Sequence, residues 1–384
     1  MKYITIIEPC DFIRFPIGGQ LNFVTQLINV YEGELSLIGI TTSKEIPTGQ
    51  WIKLNIRGVD FDYLAVQYKD PTKIKPVIPS RLSFYLKLIF NYKIINKKLS
   101  KYVFVQAPEV MIFLRKAYNL NICYCFPGMQ NPLTMSRYKW AFLFHRIFNR
   151  LFISGLNNAK IILASADINT IENYKNKNHL KKKIFHFPTR IDLAKIESYS
   201  AKALKNIFNI PASHKIIITC GRINRVKGWE FAIESFAELL NNEKNVSLIF
   251  IGDGEDRPKL ENELMEKNII TNVFITGFIS NELVISYMKS ANLAIITSFY
   301  EGWSLAMLEE LSCGLPIVST NVSGAEQMVH NGINGYVISK RDKYLFSAAM
   351  LKALNIKKPS GFSLEIAKKY DVKRLSEDLN KIWS

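Results

Sequence analysis

Residues 301–320 read EGWSLAMLEELSCGLPIVST. An apolar run from Leu293 to Ser298 leads into this stretch and predicts a strand, with Glu301 on the loop that follows. Ser304 suits a helix N-cap, because its hydroxyl can accept from an otherwise unpaired helix N–H. Gly314 suits the stop, and Pro316 opens the next strand, Ile317 to Ser319. Strand, loop, helix, strand predicts a parallel α/β unit. Its helix then directs free N–H groups and a positive dipole end at the carboxyl edge of the sheet, where an anion such as a nucleotide phosphate would bind. Glu309, two turns into the helix, would reach a hydroxylated group beside the phosphates rather than the phosphates themselves. Taken alone, Glu309 and Glu310 read as well as solvated helix carboxylates.

A second anion-binding feature lies upstream. Lys215 to Cys220 (KIIITC) predicts a strand, and Gly221 and Gly228 bracket Arg222 and Lys227 in the loop behind it. Two cations past a strand's carboxyl edge suit a diphosphate: the guanidinium fork matches two phosphate oxygens, and the ammonium supplies a point charge. Surface charges on an ordinary loop would read the same way. The pattern continues with a helix from Trp229 to Leu240, a strand from Val246 to Ile251, a turn at Gly252-Asp253-Gly254, a helix from Lys259 to Lys267 and a strand from Val273 to Thr276.

The front of the chain carries a similar series. Lys2 to Glu8 predicts a buried strand, Pro16, Gly18 and Gly19 a loop, and Leu21 to Val30 a helix. Strands follow at Leu35 to Thr41, Phe61 to Val66, Tyr102 to Gln106, Ile122 to Phe126, Ile161 to Ala164 and Ile184 to Phe187. Residues 81–101 and 136–155 predict two basic, aromatic-rich helices. Aromatics at helical spacing serve a core, but basic residues beside exposed aromatics are also what an interfacial membrane helix needs.

With 384 residues, two domains are expected. The net charge of +17 is uneven: residues 1–200 hold 28 Lys/Arg against 13 Asp/Glu, and residues 201–384 hold 22 against 20. The front half therefore faces something negative, for which nucleic acid, an anionic membrane and a phosphorylated acceptor are candidates. No zinc-finger or RNA-binding signature supports nucleic acid, which is not expected as a partner. No signal peptide and no spanning helix are expected. The five cysteines are scattered, with no zinc-site spacing, and read as buried thiols.

Together, G-R-x4-K-G at 221–228, E-x7-E at 301–309, G-L-P at 314–316 and N-G-x-N-G at 331–335 resemble glycosyltransferase family 4, of the GT-B fold. The resemblance is specific over 215–340 and looser over 1–192. It implies two Rossmann-like doubly wound α/β domains facing a central cleft: an acceptor domain over 1–192, a nucleotide-sugar domain over 193–362, and a C-terminal helix over 363–384 crossing back to the first. It also implies retaining transfer of a hexose or N-acetylhexosamine from a nucleotide diphosphate sugar, UDP-linked, to a saccharide or lipid-linked acceptor in surface polysaccharide, O-antigen or capsule synthesis. No metal and no cofactor are expected. Arg222, Lys227 and Gly19 match the diphosphate contacts, Glu301 the carboxylate at the donor sugar, and Glu309 the ribose carboxylate. Gly302, Ser304 and Leu305 match backbone contacts to sugar or phosphate. The expected place is the cytoplasm, peripheral at the inner face of an anionic membrane. One departure stands out: the family's first-domain His is missing from CYCFPGMQNPL at 123–133, where Gln106, Glu109, Gln130 or Asn131 could take a polar role. His145 and His186 are read as structural. That departure also motivates the alternative, a degenerate GT-B protein that binds nucleotide or sugar without catalysis.

Overall fold

The computed structural model describes residues 3–14, 19–31, 34–56, 58–72, 76–126, 129, 131, 133, 138–166, 168–180 and 182–383. Gly18, Gln130 and Arg137 lie outside these residues. Contacts divide the chain into two units: residues 1–188 with 375–384, and residues 189–374.

The first unit is built on a sheet of strands β1 (Ile4–Ile7), β2 (Leu35–Thr41), β3 (Trp51–Ile56), β4 (Val59–Tyr68), β5 (Tyr102–Val105), β6 (Asn121–Phe126), β7 (Ile161–Ala164) and β8 (Ile184–His186). Their order is β3-β4-β2-β1-β5-β6-β7-β8. Every pairing is parallel except the β3–β4 hairpin. β1 and β2 are buried at every position, which is why they read as continuous apolar runs rather than alternating ones.

The second unit carries β9 (Lys215–Cys220), β10 (Val246–Ile251), β11 (Val273–Ile275), β12 (Leu293–Ile296), β13 (Ile317–Thr320) and β14 (Gly335–Ile338), in the order β11-β10-β9-β12-β13-β14 and parallel throughout. Helices pack on both faces, as the two separate apolar clusters on either side of this sheet require. The strand order reverses between β9 and β12. In open sheets of this kind that switch point opens a crevice outside the carboxyl ends of the two strands.

Three expected elements are corrected. The last helix is not continuous: Gly361–Lys369 and the 3-10 turn Val372–Arg374 belong to the second unit, and Leu375–Trp383 belongs to the first. The break is made by residue 191, whose N–H donates to Tyr370 O at 2.9 Å while its carbonyl accepts from Val372 N at 2.7 Å. The expected helix over 81–101 ends at Phe90, because Asn91 leaves helical geometry (ψ 10°) and its side chain donates to Lys87 O at 2.8 Å. The expected helix over 136–155 is a 3-10 turn, Lys139–Phe144, running into an α-helix, His145–Asn158. His145 marks the change, with Nδ1 2.6 Å from Phe142 O and its ring stacked on that residue's. Phe152 there is core, edge-on to Tyr124 and Phe126.

Candidate active site

The crevice outside β9 and β12 is a pocket lined by Cys220, Gly221, Arg222, Lys227, Thr297, Ser298, Glu301, Ser304 and Ala306. Two loops build it. The one after β9 makes a 3-10 turn, Arg225–Lys227, capped by Asn224, whose Oδ1 accepts from Lys227 N at 3.1 Å. The one after β12 is stitched to it: Thr297 Oγ1 donates to Lys227 O at 3.0 Å, and Phe299 N donates to Val226 O at 2.8 Å. Gly228 sits where they meet, in the left-handed region at φ +68°, and a Cβ there would lie 2.1 Å from Thr297 O. Only glycine meets both demands.

This stitching brings Lys227 to Glu301. The ammonium lies 2.6 Å from Glu301 Oε1, and Ser298 Oγ donates to the same oxygen at 2.7 Å. Arg222 is exposed and, among the described residues, forms no ion pair. Ser304 caps the helix Leu305–Ser312 as its sequence predicts, accepting from Met307 N at 3.3 Å. Leu305 is therefore the first helical residue rather than part of the loop. A Cβ on Gly302 would meet only open space, so the backbone there is accessible to a ligand. Gly19 opens a helix, Gly19–Tyr31, in the first unit.

Glu309 does not line the pocket, but it is close enough to act electrostatically on Cys220, which does. Glu309 is half-buried, and desolvation lifts its carboxyl to about 7. Glu310 corrects the solvated reading outright. It is 0% exposed, and neither carboxylate oxygen has a hydrogen-bond partner among the described residues. Burial first, then the charges of Glu309 and Glu301, push it well above the carboxylate range.

Two further residues escape sequence reading. Arg341 follows β14 and reaches back to the site, donating to Thr297 O at 2.8 Å, with its guanidinium 3.8 Å from the Phe299 ring centroid. No local signal marks it, since the contact spans 44 residues. Glu8 follows β1 at the switch point of the first sheet, is buried, and accepts from Gln106 N at 3.2 Å. Burial and Glu109 lift it to about 8. Of the polar candidates in this unit, Gln106 and Glu109 are buried, while Asn131 donates to His145 O at 3.3 Å. All five cysteines are free, and four are buried.

Residues 200–370 match the family described as "Glycosyl transferases group 1". The match covers less than half of the chain and lies wholly within the second unit. It spans β9 to β14, and so includes both loops of the pocket. Its relatives include the alpha-D-kanosaminyltransferase of Streptomyces kanamyceticus, 32% identical over 123 residues that make up 32% of each chain. Across the first curated relatives the matched region spans only 20% to 44% of their length. Likeness of fold extends beyond these matched residues. Sucrose-phosphate synthase from Thermosynechococcus elongatus matches at TM-score 0.76 and 17% identity, over 100% of this chain and 98% of that one. Anabaena HepE in complex with UDP matches at TM-score 0.72 and 13% identity, over 99% of each. The fold is thus of GT-B type, with two parallel-sheet, Rossmann-like units.

Proposed function

We propose that the protein is a retaining glycosyltransferase of family 4 that moves a hexose or N-acetylhexosamine from a UDP-sugar to a saccharide or lipid-linked acceptor in surface polysaccharide synthesis. One observation carries this reading: the switch-point pocket combines Arg222, the Lys227–Glu301 pair and a capped helix N-terminus on one rim. A departing diphosphate develops negative charge. Arg222, Lys227 and the first N–H groups of the helix Leu305–Ser312 would stabilise that charge without a metal ion. Glu301 would hold the donor sugar, Gly302 and Leu305 would offer backbone groups to it, and Glu309 would accept from the ribose hydroxyls. UDP is favoured as the carrier because Anabaena HepE, of the same fold, forms a complex with UDP. We place the protein in the cytoplasm, peripheral at the inner face of an anionic membrane; among the described residues no helix is long and apolar enough to cross one.

The test is UDP release from a panel of UDP-hexoses and UDP-N-acetylhexosamines, with lipid-phosphate and saccharide acceptors, in the presence of EDTA. Acceptor-dependent release that survives chelation is expected. No release from any donor would overturn the reading.

A further inference from the structure

In the first unit, the helix Ser80–Phe90 and the segment from Lys139 through Asn158 enclose a groove of about 740 Å³. That is within the range of roughly 300–1,000 Å³ typical of small-ligand pockets. Its walls are mostly aliphatic and aromatic, with Ile112 and Leu151 inside and Leu82, Trp140, Phe144 and Ile147 at the lips. The lips are far from covered: Trp140 is 47%, Phe144 51% and Ile147 61% exposed. At one end Arg81 Nε lies 3.8 Å from Glu109 Oε1. Burial lifts the Glu109 carboxyl, which leaves less negative charge beside the guanidinium.

The stretch of chain that contains this groove is strongly basic. Between residues 71 and 166 the chain has fifteen Lys/Arg and a single acidic residue, Glu109 itself. Lys87, Lys139, Arg146 and Arg150 are exposed on the segments that form the walls. An apolar slot with a cationic surround fits an amphiphile with an anionic head. The backbone of these walls is largely satisfied within helical turns, so an occupant needs no hydrogen bonds from them; a hydrocarbon chain asks for none, whereas a peptide would.

We propose that this groove takes the hydrocarbon chain of a lipid phosphate, whose head meets Arg81 and the surrounding basic side chains. Its role as acceptor rests on the transferase reading above; its occupancy does not.

The probe is dodecyl phosphate with a brominated chain, titrated into the 384-residue protein below its aggregation concentration. Saturable quenching of tryptophan fluorescence at one equivalent is expected, and it should be lost in Trp140→Phe. Ala141→Phe, which narrows the groove, should weaken binding at least tenfold. So should Ile147→Asp, at an exposed position where folding is undisturbed. Inorganic phosphate should not compete, and dodecyl maltoside should bind at least tenfold more weakly. Absence of saturable quenching, unchanged affinity in Ile147→Asp, or preference for an acidic amphipathic peptide would overturn the proposal. UDP binding is read separately by calorimetry on the same protein. UDP binding without lipid binding sinks the groove alone, and lipid binding without UDP binding sinks the donor reading alone.

Discussion

The Lys227 ammonium lies 2.6 Å from Glu301 Oε1, so the cation proposed for the diphosphate is already neutralised by the carboxylate proposed for the sugar. A bound diphosphate must therefore share or displace that contact. Glu301→Gln frees the ammonium and should tighten UDP binding a few-fold, while transfer falls at least a hundredfold. Calorimetry with UDP and the release assay read the two effects separately. UDP affinity that drops in this variant would contradict the competition.

Among the described residues, Arg222 has no such partner to release. A hydrogen bond to a charged group contributes about 1.5–3 kcal/mol. Arg222→Ala should accordingly weaken UDP binding ten- to a hundredfold and leave the melting temperature unchanged. An unaltered dissociation constant would remove Arg222 from the site.

The buried carboxyls give stability a definite slope with pH. Glu309 is held at about 7 and Glu8 at about 8, both above the ordinary carboxylate value, and Glu310 is pushed up as well. A carboxyl that holds its proton more tightly when folded contributes stability that is complete below the unfolded pKa and is lost as pH rises through the folded one. The protein should therefore lose stability between about pH 4.5 and 8. Glu310→Gln keeps the shape without the charge, and should flatten that slope and gain about 1–3 kcal/mol at pH 8. Urea unfolding at pH 5 and pH 8 reads it. A variant less stable than the parent at pH 8 would mean that Glu310 is ionised and paired.

Gly228→Ala tests the stitched loops. The added Cβ meets a carbonyl oxygen at 2.1 Å from a left-handed backbone. A loss of at least about 2 kcal/mol is expected, together with weaker UDP binding, because the turn that presents Lys227 must shift. Unfolding curves and the UDP titration check both.

Much of the second unit could be read in advance because its signals are local. KIIITC is β9 to the residue, and Ser304 caps its helix through a contact three residues away. Arg222, Lys227, Glu301 and Ser304 do line one pocket, since each ends or follows a strand at the sheet's switch point. What stayed hidden depends on distant partners. Glu309-Glu310 reads as a pair of surface carboxylates, and only tertiary packing decides that Glu310 is sealed. Arg341 and Glu8 matter through residues 44 and 98 positions away. The helix expected over 136–155 has the right composition, but local bonds around His145 favour a tighter turn over part of it.

The first unit is discontinuous in the chain, and that has a bearing on how the protein comes into being. Leu375 and Leu379 are almost wholly buried, and Leu379 lines a small apolar cavity together with Ile4, Leu27 and Phe104. A nascent chain on the ribosome reaches residue 188 with this slot still bare, and must synthesise the whole intervening unit before the closing helix emerges. Over that interval a strip of the first sheet's apolar flank is open to chaperones or to misassociation, and an early stop near residue 374 would make that exposure permanent.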